Sequence, residues 1–272
     1  MPRSRCSSVC AERPLTRAQY PVPGVGAVNA ALGAAANRLT PFYRRFPYRG
    51  RLWWTEVDMR TAVCHRSGFL YNRLPKTANS TVTHLLAQQS FGTRAGRAKH
   101  RFRRCSRLST RELRAVVQDY LKFVVVRDPY SRTLSAFLDK VQRRRPQARD
   151  PMRWFARAGV AQPAFEDFCR YLDDGGLLAD NHWAPQTEGL VLPLDRFDVV
   201  ARFETLERDL GAIHARLFGA PVAALPRRGP PGVGAEAALA RHYTPRAAEI
   251  VSRLFREDFE RLGYPLRDVT AA

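Results

Sequence analysis

Short apolar runs alternate along the chain with longer segments whose apolar residues have helical spacing. Residues 69–74, 122–127 and 197–203 are apolar or β-branched runs of strand length, typical of strands buried on both faces of a sheet. A segment with helical spacing follows each run. This alternation predicts an α/β fold with a mainly parallel central sheet flanked by helices.

The expected helices are marked by apolar spacing and by residues that favour helix starts. Ser109 and Glu112 form the Ser-x-x-Glu pattern of a capping box before one of them. Asp128-Pro129 ends a predicted strand before another. The predicted helices are residues 109–120, 130–141, 165–172, 204–218 and 244–262.

The N-terminal part of the chain is rich in proline and arginine, with an alanine-rich patch. We predict an irregular basic arm over residues 1–60 with one short helix, and a catalytic domain over residues 61–272 whose core begins near Phe69. The apolar stretch 22–36 is too short and too weakly hydrophobic to span a membrane. It is at most a degenerate signal region.

Residues 69–86 predict a strand, a short polar turn and a helix. Free backbone N–H groups and the positive end of a helix dipole can bind an anion at such a turn. Lys76 adds a positive charge, and Ser80 and Thr81 can cap the helix or donate hydroxyls. The pattern is not GxxxxGK[ST], because the lysine comes first and no glycine lies between Leu70 and Gly92. An ordinary helix start with a solvent-exposed lysine is the alternative.

A second strand–turn–helix unit carries complementary groups. Arg127 ends the strand, Ser135 lies about two turns into the helix, and Arg132 lies between them. An arginine can grip phosphate with a planar fork, and a serine can add a further hydrogen bond. Since ligands bind at the carboxyl ends of parallel strands, both turns are expected at one edge. A nucleotide with phosphates on both sides of its ribose fits this pair.

Composition adds a strong positive charge. The 272 residues carry a formal net charge of +20 and 45% are hydrophobic, which excludes global disorder and favours polyanionic partners such as nucleic acid, anionic lipid or an acidic glycan. Residues 94–107 are especially basic, and are either a solvated loop or a groove wall for an acidic substrate.

The five cysteines give little support for a metal site. No C-x-x-C pair occurs, and the odd count argues against a fully paired secreted framework, although one or two disulfides remain open. No cluster of metal ligands is evident, so we expect no metal.

Five segments in order resemble the carbohydrate sulfotransferases: LPKTANST, VVVRDPYSRTLSAFLDK, NHWAPQ, VVARFETLERDL and REDFERLGYP. The similarity covers residues 69–265, and is greatest to the Golgi-type group acting on chondroitin, dermatan and related glycans, which has bacterial members. Two departures are the missing transmembrane anchor and the missing cysteines near the HW segment.

The resemblance implies a P-loop-like sulfotransferase fold and the donor 3′-phosphoadenosine 5′-phosphosulfate. The phosphosulfate loop of the family falls on Lys76, Thr77, Ala78, Asn79, Ser80 and Thr81, and its ribose-phosphate site falls on Arg127 and Ser135. Arg202 matches a family-typical position on the donor side, with no role assigned.

Sulfuryl transfer is an in-line displacement at sulfur by an acceptor hydroxyl, with charge developing on the leaving phosphate oxygen. Lys76 is the candidate that stabilises this charge. A general base takes the hydroxyl proton. His182 is the first candidate, beside Trp183 as a possible sugar-stacking surface. His100 is the second and Glu188 the third.

The leading hypothesis is therefore an enzyme that sulfates a hydroxyl of a carbohydrate, preferably an anionic glycan. A basic nucleic-acid-binding protein and a phosphotransferase that uses the same loops are the alternatives. A Golgi enzyme without its anchor and a soluble bacterial enzyme both remain open, so membrane association, compartment, oligomeric state and acceptor sugar stay undecided.

Overall fold

The computed structural model describes residues 25–92, 98–222 and 235–270. The strands are β1 Thr61–Cys64, β2 Phe69–Asn72, β3 Leu121–Val126 and β4 Val199–Arg202. The helices are α1 Val25–Leu39, α2 Pro41–Arg45, α3 Trp54–Asp58, α4 Asn79–Phe91, α5 Ala98–Arg101, α6 Thr110–Gln118, α7 Pro129–Ala136, α8 Arg149–Arg157, α9 Phe165–Asp173, α10 Leu206–Phe218, α11 Ala235–His242, α12 Pro245–Leu254 and α13 Arg256–Leu262.

The four strands form one sheet in the order β1-β2-β3-β4. β1 pairs antiparallel with β2, whereas β2, β3 and β4 are parallel, with Asn72 opposite Val124 and Val124 opposite Val200. The helices between parallel strands are the crossovers that such pairing requires. The predicted α/β fold with a mainly parallel sheet flanked by helices is confirmed.

β3 lies at the centre because its side chains are apolar on both faces. Val124 and Val126 point into the larger core cluster, and Phe123 and Val125 point into a second cluster on the opposite face. Each of these four side chains is fully buried. This alternation positions the carboxyl end of β3 rigidly between two layers of helices.

The interpretation of residues 197–203 as a strand buried on both faces is wrong. β4 is an edge strand, and Val200 keeps 38% of its surface exposed. Its apolar run is explained by Ala201, which alone in the strand is buried, under α10. A short edge strand needs to cover only one face.

The core begins before Phe69, contrary to the sequence-based expectation. Phe42 and Tyr43 are fully buried in the larger cluster, and the Tyr43 hydroxyl donates to Asp58 Oδ1 at 3.1 Å. Asn29 on α1 donates to Leu52 O at 3.1 Å. Residues 1–24 of the proposed arm lie outside the described residues, and the division at residue 60 stays a prediction.

Helix boundaries differ from expectation at two places. The predicted C-terminal helix 244–262 is two helices, because the chain turns at Phe255 between α12 and α13. The helix after β3 ends at Ala136 and continues as a π-helical turn, Phe137–Val141. The capping box at Ser109 and Glu112 is confirmed.

Three further expectations concern segments that are only partly described. Across residues 25–92, 98–222 and 235–270, no helix has the length and hydrophobicity needed to cross a membrane. In the basic stretch 94–107, residues 94–97 lie outside this range, and Phe102 is buried in the second core cluster. Cys64, Cys105 and Cys169 are free and buried, while Cys6 and Cys10 lie outside the described residues.

Candidate active site

The turn after β2 leaves the start of α4 without a side-chain cap. Ala78 is the N-cap residue, in the left-handed region at φ 59°, and Lys76 has φ 68°. The Thr77 hydroxyl is turned back to Leu74 O at 3.0 Å. Ser80 and Thr81 lie within the first turn of α4 rather than at its cap. The first N–H groups of the helix therefore face outward without a capping side chain, as in anion-binding helix starts.

Arg127 brings the second turn to the first. It follows β3 directly, and its guanidinium Nη1 donates to Lys76 O at 3.2 Å. Nε donates to Ser131 Oγ at 3.1 Å, and the guanidinium lies 4.0 Å from the ring centroid of Phe203. These contacts fix a buried cation beside the uncapped start of α4.

The second turn, in contrast, satisfies its own polar groups. Asp128 caps α7 by accepting from Ser131 N at 3.1 Å, and it forms an ion pair with Arg267 at 3.0 Å. Gln186 accepts from Arg127 N at 2.9 Å and donates to Arg127 O at 2.8 Å. The backbone of this turn is held in place by protein groups.

Ser135 lies one turn beyond Ser131 on the same face of α7 and is half-buried. The serine that touches Arg127 is Ser131, which is fully buried. Ser135 therefore lies on the face of α7 that contacts Arg127, one turn further from the arginine than Ser131.

Lys76 is paired with a carboxylate that it shares. Its Nζ lies 3.0 Å from Asp139 Oδ2, and Lys140 Nζ lies 3.1 Å from the same oxygen. Burial lowers the pKa of Lys76, and the hydrogen bond to Asp139 opposes this shift. Burial acts to raise the pKa of Asp139, but the bonds from Lys76 and Lys140 outweigh it and lower the value to about 2. Asp139 stands on the π-helical turn, a distortion frequent at functional sites.

Arg132 joins the first turn to residues 181–184. Its buried guanidinium donates to Pro75 O at 3.1 Å, Ala184 O at 2.8 Å and Asn181 O at 3.2 Å. Burial lowers the pKa of Arg132 to about 10, so it remains charged at neutral pH. A single guanidinium thus contacts both Pro75, which precedes Lys76, and residues 181–184, which include the predicted base His182.

His182 lies in this segment and is oriented by Asp180. Its Nδ1 lies 2.6 Å from Asp180 Oδ1. Burial lowers the pKa of His182, Asp180 opposes that shift, and the nearby charge of Lys140 adds to it. The imidazole is therefore neutral at pH 7, and it lines a cleft of about 540 Å³.

Comparison with known proteins bears on this arrangement. Residues 59–265 match the family described as "Sulfotransferase family". The chain belongs to that family. It is similar to carbohydrate sulfotransferase 10 of Gallus gallus, with 27% identity over 77% of this chain and 67% of that protein. It is also similar to carbohydrate sulfotransferase 14 of Mus musculus, with 30% identity over 60% of this chain and 47% of that protein. No solved structure matches.

The chain spans about half to two thirds of the length of these curated relatives. Carbohydrate sulfotransferase 10 of Homo sapiens, 27% identical, is covered over 50% of its length.

Trp183 is not a sugar-stacking surface in this protein, and that expectation is wrong. It is 1% exposed, its Nε1 donates to Gly176 O at 2.9 Å, and it packs edge-on against Phe168 and Tyr171. A polar histidine does not predict an exposed tryptophan beside it, because successive residues of an irregular segment point in different directions.

The other two candidate bases are placed differently from His182. His100 is exposed on α5, next to Arg101, which stacks on Phe91 at the end of α4. Phe91 lies about 18 Å along α4 from Asn79 at about 1.5 Å per residue, so this contact places α5 at the end of the helix opposite to Lys76. Glu188 is buried against Arg51, which bonds it through both its backbone N and its guanidinium. The structure brings neither to Lys76.

Arg202 contacts the end of α13 and the residues that follow it. Its Nη2 donates to Leu262 O at 3.0 Å and Gly263 O at 3.1 Å, and its guanidinium lies 4.4 Å from the ring centroid of Tyr264. It thereby closes the carboxyl end of α13. The next two residues face the second turn: Phe203 stacks on Arg127, and Glu204 Oε1 accepts from Asp128 N at 2.8 Å.

Sequence reasoning missed the groups that hold the second turn. Buried Asp258 accepts from Gln186 N at 2.7 Å and from Thr187 N at 2.9 Å, and burial raises its pKa while these N–H donors oppose the shift. The only available signal was the place of Gln186 and Asp258 inside the NHWAPQ and REDFERLGYP segments. Asp139 was missed too, although it is part of a matched segment.

Within residues 25–92, 98–222 and 235–270, no three His, Cys, Asp or Glu side chains are grouped to hold a metal ion.

Proposed function

We propose that this protein transfers a sulfuryl group from 3′-phosphoadenosine 5′-phosphosulfate to a hydroxyl of a carbohydrate. The observation that carries the proposal is the 3.2 Å hydrogen bond from Arg127 Nη1 to Lys76 O. It places two basic turns of a sulfotransferase-family chain side by side, at a helix start without a side-chain cap. A doubly anionic nucleotide is the ligand that suits two adjacent positive turns.

The residues fit the donor in kind. The N–H groups of Thr77–Thr81 and the hydroxyls of Ser80 and Thr81 suit the phosphosulfate. Arg127, with Ser135 further along α7, suits the ribose phosphate. Arg202 acts at a distance in this proposal, because its guanidinium closes α13.

In the reaction, the bond from sulfur to the phosphate oxygen breaks while a bond from sulfur to the acceptor oxygen forms. Lys76 binds the oxygen on which negative charge develops. Its pairing with Asp139 must then weaken, which frees the ammonium group for the phosphate. An ammonium placed there stabilises the transition state more than the ground state.

The acceptor proton moves to His182 in this proposal. Nδ1–H is held by the Asp180 carboxylate, so Nε2 carries the lone pair that accepts the proton. Asp180 then stabilises the imidazolium. Since burial lowers the pKa of His182, the base is in its active form at neutral pH, and activity falls as the pH drops below the ordinary range of histidine.

The acceptor class is inferred from two sources. The similar proteins of Gallus gallus and Mus musculus are named carbohydrate sulfotransferases. The net charge of +20 favours approach of an anionic polymer, so we propose a glycan that carries acidic groups along its chain.

Calorimetry with adenosine 3′,5′-bisphosphate tests the donor site. We expect the wild-type protein to bind the nucleotide and Arg127→Ala to lose at least tenfold in affinity. Arg153→Ala, which removes an exposed arginine of α8, is the matched control and should bind as wild type. A folded wild-type sample that does not bind the nucleotide contradicts the proposal, and magnesium-dependent transfer of phosphate would replace it with a phosphotransferase.

A further inference from the structure

The cleft beside His182 lies between the segment before β1 and residues 178–182. Its walls include Leu52, Trp53 and Glu56 on one side, and Leu178 and Asp180 on the other. At about 540 Å³ it has the size of a small-molecule site and can take one or two sugar rings. Nothing in the donor turns contributes to its walls.

The cleft adjoins the transfer point on the side of His182. Arg132 ties Pro75, directly before Lys76, to the carbonyl of Asn181 in the cleft wall. Lys140 shares Asp139 with Lys76 and is near enough to lower the pKa of His182. A molecule in the cleft therefore lies beside the proposed base and next to the first turn.

An exposed tryptophan lines this cleft. Trp53 keeps 37% of its surface accessible, in contrast to the fully buried Trp183. It stands at the start of α3, a backbone position fixed by the neighbouring Trp54 N, which donates to Asn29 Oδ1 at 2.9 Å. A rigid indole face with a polar edge suits the C–H face of a sugar ring.

The remaining wall is polar, and only some of its polar atoms have hydrogen-bond partners. Glu56 accepts from Asn181 Nδ2 at 3.1 Å, and Arg60 Nη2 donates to Asn181 Oδ1 at 2.6 Å. Two buried atoms of the wall, Arg60 Nε and Gln147 Oε1, have no hydrogen-bond partner among the described residues. Such groups favour an occupant with several hydroxyls.

The charge of the cleft differs from that of the whole chain. Its walls carry two carboxylates, Glu56 and Asp180, against the single guanidinium of Arg60. His182 adds no charge at neutral pH, because burial lowers its pKa. A carboxylate or sulfate on the bound sugar would face Glu56 and Asp180 with little compensation.

We propose that this cleft binds the acceptor, and that the sugar unit inside it is an uncharged pyranose stacked on Trp53 with a hydroxyl toward His182. The inference rests on the proposed function and refines it. Acidic units of a glycan, where present, bind outside the cleft, on the basic surface of the protein.

The first experiment separates acceptor binding from donor binding. Trp53→Ala should raise the KM for a desulfated chondroitin acceptor at least tenfold and leave the affinity for adenosine 3′,5′-bisphosphate unchanged. Trp53→Phe should recover most of the loss. Leu39→Ala, which truncates an exposed side chain of the same N-terminal part, should match wild type. An unchanged KM in Trp53→Ala overturns the inference. A wild-type protein that does not bind adenosine 3′,5′-bisphosphate contradicts the proposed function instead.

The second experiment tests charge without any turnover. Tryptophan fluorescence is titrated with an uncharged N-acetylhexosamine trisaccharide and, separately, with a uronate trisaccharide of the same length. We expect the uncharged probe to bind at least fivefold more tightly, and Glu56→Gln to narrow this ratio while it keeps the bond to Asn181. Equal or tighter binding of the uronate probe, or binding of neither, overturns the inference.

Discussion

Two strand–turn–helix units meet at one edge of the sheet, and they treat the start of the helix in opposite ways. The turn before α4 has no side-chain cap and holds Lys76 and Ala78 at positive φ. The turn before α7 is capped by Asp128, and its backbone is paired with Gln186. The first turn leaves the N–H groups at its helix start without a side-chain acceptor. The second turn pairs its backbone groups with side chains of the protein.

The difference shows how one topology can divide binding from support. Backbone in a sparsely populated conformation costs about 1–3 kcal/mol per residue and persists where the surroundings impose it. Here the surroundings are the second turn, whose Arg127 bonds Lys76 O, and Arg132, which bonds Pro75 O. The turn whose polar groups are paired therefore holds the other turn in its positive-φ conformation.

Removing the charge of the first turn should have the largest effect. Lys76→Ala is expected to slow sulfuryl transfer by about 10²–10³-fold, the usual cost of losing one group that stabilises developing negative charge. Single-turnover rates with saturating donor measure it. Lys140→Ala, which removes the other partner of Asp139, should cost less than tenfold. Equal losses in the two variants would mean that the lysines act through Asp139 and not on the donor.

The connection between the units is broken by Arg132→Met. The substitution leaves two buried carbonyl groups and one partly buried carbonyl group without their donor, and we expect a loss of about 3 kcal/mol in the free energy of unfolding, measured in urea. Arg153→Met, at an exposed ion pair, should change stability by less than about 0.5 kcal/mol. A loss for Arg132→Met as small as that of the control would show that the first turn holds its own conformation.

The two helix starts can be compared directly by substitution at the cap. Asp128→Ala removes the bond to Ser131 N and should cost about 1–2 kcal/mol. Ala78→Gly removes no cap and eases a positive φ, so stability should change by less than about 1 kcal/mol. Thermal denaturation measures both. If Ala78→Gly destabilised the protein as much as Asp128→Ala, the two starts would not differ as described.

The smallest effect concerns acid stability. The folded-state pKa of Asp139 is about 2 and lies below the ordinary value, because the bonds from Lys76 and Lys140 outweigh the effect of burial. Its pairing therefore stabilises the fold above about pH 4 and is lost as the pH falls toward 2. Water reaches the pair, so we expect less than about 1 kcal/mol. Asp139→Asn should flatten unfolding free energy against pH in that window, and an unchanged slope would contradict the assignment.

Much of the fold follows from local pattern. The β-branched run of β3 can be buried only on two faces, and Ser109 with Glu112 marks a helix start by local hydrogen bonds alone. The prediction of burial on both faces fails for β4, because a run of apolar residues does not reveal which strand lies at the edge. The break at Phe255 was missed for a similar reason, since apolar spacing continues through it.

The candidate site also contains some residues that the sequence predicts and others that it does not. Lys76 and Arg127 are predictable because each directly follows a strand of a parallel sheet, where ligand-binding turns occur. Trp53 and Trp183 are not, because the exposure of a tryptophan in irregular chain depends on what packs against it. Only the structure buries Trp183 against Phe168 and leaves Trp53 at the cleft.

The sequence by itself determined the alternation of strands and helices, the two basic turns and the strong positive charge, because these depend on residue spacing and composition. The tertiary structure alone decided that Arg132 and Asp258 hold the turns, that Asp139 is shared by two lysines, and that a cleft with excess negative charge adjoins His182. These features join residues distant in sequence, and such contacts arise only when the whole chain packs.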